Sequence, residues 1–201
     1  FADDPFVRWV IRPGGGEALR RRYVRFVLER IALPHGAVYT TRGARAAALW
    51  IPPGAWDLPA GRQMALLPAI ARIVGLRRLP TVARGIAEIE HRRPPPPWWF
   101  LALLGTDPDT RGRGRATALL RPVLECCDEE GLPAVLDTCL EANVAWYARR
   151  GFRVVAEAQL DAHPELVLQR RSQIRPPGCR DHDVYADREA LPREFGDRCL
   201  Q

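Results

Sequence analysis

The residues from Arg111 to Ala116, Arg111-Gly112-Arg113-Gly114-Arg115-Ala116, combine two glycines and a small residue with three guanidinium groups. They follow Leu104-Gly105-Thr106, the end of an apolar run, and precede a helical pattern. Without bulky side chains at 112, 114 and 116 the backbone can come close to a ligand. The N–H groups of the first helical turn then have no partner within the helix, and the helix dipole favours an anion beside them. A phosphate suits that turn, and Arg111, Arg113 and Arg115 add positive charge around it or extend into solvent.

Two common phosphate patterns fail here. A P-loop needs Gly-Lys-Ser/Thr, and the chain contains no Lys. A dinucleotide fingerprint would run through Gly112, Gly114 and Thr117, with Asp137 at about the ~20-residue offset of the ribose-binding acid. It has Thr where Gly or Ala is required, and Gly112 stands too far beyond Gly105 for a first glycine directly after the strand.

The third pattern, Arg/Gln-x-x-Gly-x-Gly/Ala, is met by Arg111, Gly114 and Ala116. Downstream, Leu136-Asp137-Thr138 is followed by Asn143, then Tyr147 four residues on, then Gly151-Phe152. In these two segments the sequence resembles the GNAT superfamily of acetyl-CoA-dependent N-acyltransferases. The likeness covers most of residues 1–170 and is similar in layout to the puromycin N-acetyltransferase-like small-molecule enzymes. It implies an α/β (α+β) fold, a mixed, mostly antiparallel twisted sheet flanked by helices. It also implies that the chain lacks the first strand, with Phe1-Ala2-Asp3-Asp4-Pro5 as the end of the first helix. Residues 1–170 would be the acetyltransferase domain and 171–201 a polar tail.

By the same resemblance, acetyl-CoA is the co-substrate, with no metal. Its pantetheine arm would pair with the strand through Leu104, Gly105 and Thr106, and its diphosphate would lie on Arg111, Gly112, Arg113, Gly114, Arg115, Ala116 and Thr117. Asn143 is expected to cap its helix and touch the pantetheine amide, helix capping alone being the other reading. Tyr147 is expected to be the general acid for the departing thiolate. Its reference pKa of ~10 lies above a thiol's ~8.5. Packing beside Trp146 with the hydroxyl in water is the alternative, and the position between Asn143 and Gly151 favours the acid. Asp137 stands where related enzymes usually carry Glu, and either draws the ammonium and passes on its proton through water or is a structural acid at a strand end. Ala142 replaces a frequent Arg.

Other reactive residues form no constellation. His35, His91, His163 and His182 are scattered, and Cys179-x-x-His182 alone approaches a metal spacing. Cys139, next to the cleft but without a partnered His, reads as wall packing. Trp98 and Trp99 read as core.

The elements that must position these groups follow from periodicity. Apolar residues recur at three and four from 17 to 32, predicting a helix. Residues 37–40 and 46–51 predict a hairpin, and 62–92 two weaker helices divided near Gly75. Four prolines from 94 make a stiff connector into a buried strand at 98–104. Residues 116–127 predict a helix with Pro122 inside, stopped by Gly131 and Pro133. Then come a strand at 134–138, a helix from Asn143 to Gly151, and strands at 152–158 and 166–169.

The 201 residues carry 47% hydrophobic and 27% charged residues, a globular composition that excludes wholesale disorder. The charge of +6 raises nucleic acid, but every basic residue is Arg, as a GC-rich coding sequence would give. Five cysteines without a C-x-x-C pair support neither a disulfide framework nor a zinc ribbon and fit reduced thiols in a cytoplasm. The expected partner is a small-molecule primary amine, with no specific nucleic acid and no membrane, for a monomer or homodimer. An enzyme acting on a protein amine, a silent acyl-CoA sensor and an Arg-rich nucleic-acid binder are the rival readings.

Overall fold

The computed structural model describes residues 3–160 and 165–171. The tail from 172, with Cys179 and His182, and also His163, lie outside the described residues.

Asp4 opens the first element. Its Oδ1 accepts the Val7 N–H at 2.9 Å, and Pro5 occupies the first helical position of α1, Pro5–Val10. A residue without an N–H costs nothing there, because that N–H would have had no partner. The expectation that Pro5 closes a helix is therefore corrected: Asp4 and Pro5 start one.

The helix expected over 17–32 is α2, Gly16–Phe26, which loosens into a π-turn over Val27–Ala32. It ends at Gly36, where φ is 69°. β1 (Val38–Thr40) and β2 (Ala46–Ile51) form the expected hairpin. The two helices that follow are α3 (Ala60–Val74) and α4 (Leu79–Arg92). Beyond the prolines come β3 (Trp99–Thr106), α5 (Arg115–Glu130) and β4 (Ala134–Thr138), α5 continuing through Pro122. The chain closes with α6 (Glu141–Ala148), β5 (Arg153–Gln159) and β6 (Glu165–Arg171).

The described strands form one sheet in the order β1-β2-β3-β4-β6-β5. Every neighbouring pair is antiparallel except β3 with β4. This is the mixed, mostly antiparallel sheet flanked by helices that the sequence implied. Side chains on the two faces of a strand alternate, and β3 uses both. Trp99 and Leu101 pack with Leu120 and Val123 of α5, while Trp98 and Phe100 join Ile51 and Val135. A second apolar cluster joins α1, α3 and α4 to the far strands through Trp9, Ile73, Ile89 and Leu168.

Among the described residues, Cys127 and Cys139 are free thiols. Among the described residues no helix is long and apolar enough to cross a membrane, and no group of three or more His, Cys, Asp or Glu is placed to hold a metal ion.

Candidate active site

The single parallel pair creates the site. β3 and β4 stay in register only through Trp99↔Ala134, Phe100↔Val135 and Leu101↔Leu136. Beyond Leu101, β3 continues along β2 as far as Thr106, and beyond Leu136, β4 continues along β6 as far as Thr138. The strands part, so the edge of β3 through Leu103 and Leu104 faces a cavity rather than a neighbour. Such an edge presents backbone N–H and C=O groups that an extended amide chain can pair with.

At the end of β3, Asp107 holds the chain in a tight turn. Its Oδ2 accepts from Arg45 at 2.6 Å, and its Oδ1 accepts the Asp109 N–H at 3.3 Å. Arg45 and the Asp109 N–H hold the Asp107 carboxyl below the usual carboxylate range. The turn leads to Gly112 and Gly114, with φ of 75° and 73°. Open space surrounds both, so it is this left-handed backbone that calls for glycine. Gly114 is the N-cap of α5 and offers no side chain, and the first helical bond runs from the Ala118 N–H to the Gly114 carbonyl. The N–H groups of Arg115, Ala116 and Thr117 precede it, and the first turn has no acidic residue, an arrangement that fits an anionic diphosphate. Residues 111–114 are exposed, and Arg115 folds back to donate to the Thr110 carbonyl at 3.2 Å.

The cavity under the split encloses about 550 Å³. Leu104, Asp137, Asn143 and Tyr147 all line it, as do Thr138 and Cys139. Gly105, Thr106 and the 111–117 turn stand outside its walls, along the path from β3 to α5. Asn143 is corrected as a cap: α6 begins two residues earlier, with Leu140 in the N-cap position. The Thr138 hydroxyl accepts the Leu140 N–H at 3.3 Å and also the Asn143 Nδ2–H at 3.2 Å, and α6 starts without a side-chain cap. Asn143 is thereby aimed back at the end of β4.

Tyr147 is buried edge-on against Trp146 and Phe152, with centroids 5.0 and 5.5 Å away. Burial pushes its phenol above the ordinary 10.0, against the pull of Arg150, so the hydroxyl keeps its proton at neutral pH. Cys139 is pushed up to about 12 by burial and by Asp4 and Asp137, which makes it a poor nucleophile, and its side chain packs against the second apolar cluster.

Asp137 is buried and ion-paired with Arg93, a residue without any periodic or motif signal in the sequence. Burial pushes the Asp137 carboxyl up, against the pull of Arg93. The guanidinium lies 4.1 Å from the Phe100 centroid and 4.6 Å from that of Trp56. Asp137 Oδ1 and Arg93 Nε and Nη1 have no hydrogen-bond partner among the described residues. Arg150 was also missed: it lies 3.3 Å from the Trp146 centroid and donates twice to Thr117 Oγ1, at 2.6 and 3.1 Å, pinning α6 to the first turn of α5.

Comparisons with known proteins agree with this geometry. Residues 67–152 match the model of the Acetyltransferase (GNAT) family. A Corynebacterium glutamicum ATCC 13032 structure described as histone acetyltransferase HPA2 and related acetyltransferase is 22% identical, over 87% of this chain and 86% of its own, with a TM-score of 0.61. Arylalkylamine N-acetyltransferase 2 from Aedes aegypti is 16% identical, over 86% of this chain and 88% of its own, with a TM-score of 0.54. The fold is that of the GNAT acetyltransferases. The family match, which contains β3, α5, β4 and α6, supports the same assignment.

Proposed function

We propose that this chain is an acetyl-CoA-dependent N-acetyltransferase that modifies a primary amine of a small molecule within a ternary complex. The parting of β3 from β4 carries the proposal. It opens an unpaired strand edge onto a cavity holding Asn143 and Tyr147, while the uncapped start of α5 lies at the far end of the same strand.

Acetyl-CoA supplies an acetyl group on a thioester. The N–H groups of Arg115, Ala116 and Thr117 receive its diphosphate, flanked by the Arg111 and Arg113 guanidinium groups. Gly112 and Gly114 shape that turn. The β3 edge through Leu104, Gly105 and Thr106 aligns the pantetheine amides and steadies the carbonyl oxygen with a backbone N–H, and Asn143 contacts an amide from the opposite wall. The uncharged acceptor nitrogen attacks the carbonyl carbon, forming the C–N bond as the C–S bond breaks. Tyr147 gives its proton to the departing sulfur and recovers one from water, while the nitrogen sheds one to water past Asp137. With Oδ2 held by Arg93, the buried Asp137 Oδ1 has no hydrogen-bond partner among the described residues and is the oxygen left to accept from the amine or a water.

A cleft of about 550 Å³ favours a small acceptor, as in puromycin N-acetyltransferase-like enzymes. The name of the mosquito structure, an arylalkylamine N-acetyltransferase, fits this choice. The test is thiol release from acetyl-CoA with a panel of amines, for the wild type and Tyr147→Phe. Turnover that collapses in the variant is expected. Acetyl-CoA binding without turnover by any amine would instead mark a sensor.

A further inference from the structure

Beyond the acetyl-transfer end, the cavity changes character. Its walls become Phe6, Tyr23, Phe26, Trp56, Ile89 and Phe100, a largely aromatic lining. Its charged groups are unequal in sign. Asp4, Asp57, Glu90 and Asp137 line it, and Arg93 is the cation among the described lining residues. Arg93 is consumed by Asp137 and boxed by aromatic rings, which leaves three carboxylates without a compensating cation in the lining. Asp57 and Glu90 are exposed at the rim, and Glu90 accepts the Trp56 indole N–H at 3.1 Å, so a carboxylate is fixed at the edge of an aromatic wall. Asp4, the N-cap of α1, also lines the cavity.

We propose that the acceptor is a primary amine carrying an aromatic body and a single positive charge, drawn in past Asp57 and Glu90 and held on the walls of Trp56 and Phe100. This inference rests on the acetyltransferase reading and specifies its substrate class. A like charge facing a carboxylate is costly and steers the wrong partner away, so the same rim rejects acceptors bearing a carboxylate. The apolar walls separate an aromatic amine from a short alkyl one, since each buried methylene is worth about 0.8 kcal/mol. A polyamine, though its charges suit the carboxylates, brings no aromatic body for these walls to bury.

The test compares phenethylamine, phenylalanine, propylamine and spermidine as acceptors at saturating acetyl-CoA. Phenethylamine should exceed each of the others in kcat/KM by roughly tenfold or more. In the double variant Asp57→Asn, Glu90→Gln, its KM should rise several-fold, the KM for acetyl-CoA should stay unchanged, and the margin over phenylalanine should narrow. Phenylalanine, propylamine or spermidine turned over as well as phenethylamine would overturn the inference and leave the acetyltransferase reading standing. An unchanged phenethylamine KM and margin in the double variant would overturn it in the same way. Turnover of none would overturn it too, and calorimetry with acetyl-CoA would then show whether the underlying reading falls with it.

Discussion

Arg93, at the C-cap of α4, closes a buried ion pair on Asp137 in β4, 44 residues further along the chain. The contact fixes the end of α4 against the strand beside the cleft, and both side chains are nearly out of solvent, at 7% and 12% exposure. Removing one member of such a pair leaves the other charge buried and uncompensated. Arg93→Met should cost about 3–5 kcal/mol in denaturant unfolding at neutral pH. Without its partner the Asp137 carboxyl, already raised by burial, rises further. A group whose pKa is raised on folding gives stability below its unfolded value and loses it as pH rises through the folded one. The defect should therefore shrink at acid pH, and Arg93→Met with Asp137→Leu should recover most of the loss.

Tyr147→Phe retains the edge-on packing against Trp146 and Phe152 and deletes only the proton donor. Roughly a hundredfold loss of kcat is expected, with acetyl-CoA affinity and thermal midpoint little changed. Because burial raises its pKa, Tyr147 should add nothing to the phenolate absorbance that appears near pH 10. Wild type and variant should titrate alike there.

Gly114 adopts φ of 73° with open space around it, so substitution meets backbone strain and no clash. Gly114→Ala should lose about 1–2 kcal/mol of stability. Gly114→Asn should lose less, since Asn tolerates this conformation better. Both should weaken acetyl-CoA binding in calorimetry if the turn aims the α5 N–H groups.

The Cys139 thiol is raised from 9.0 to about 12. By the same linkage its contribution is fully present below pH 9.0 and lost as pH rises toward about 12. The stability of Cys139→Ala should fall less steeply than that of the wild type over that alkaline window, as measured by urea unfolding.

Much of this was legible in the chain. Residues 134–138 read as a strand and are β4 to the residue, because a short apolar run between Pro133 and the next helix leaves few alternatives. The start of α6 is not legible, since Asn143 is a good capping residue by type, yet the helix begins at Glu141 behind Leu140 with no side-chain cap. The start of α1 is legible in Asp4-Pro5, an N-cap residue followed by proline. Arg93, Trp56 and Glu90 were not legible at all. They meet only when α4, the loop before α3 and β3 pack together, and no spacing along the chain records that.

The central claim is that the uncapped start of α5 and the free edge of β3 bind acetyl-CoA, and calorimetric titration of acetyl-CoA into the folded chain tests it most directly. Saturable binding at one site, weakened in Gly114→Ala, is the predicted result; no association with the folded protein would contradict the account.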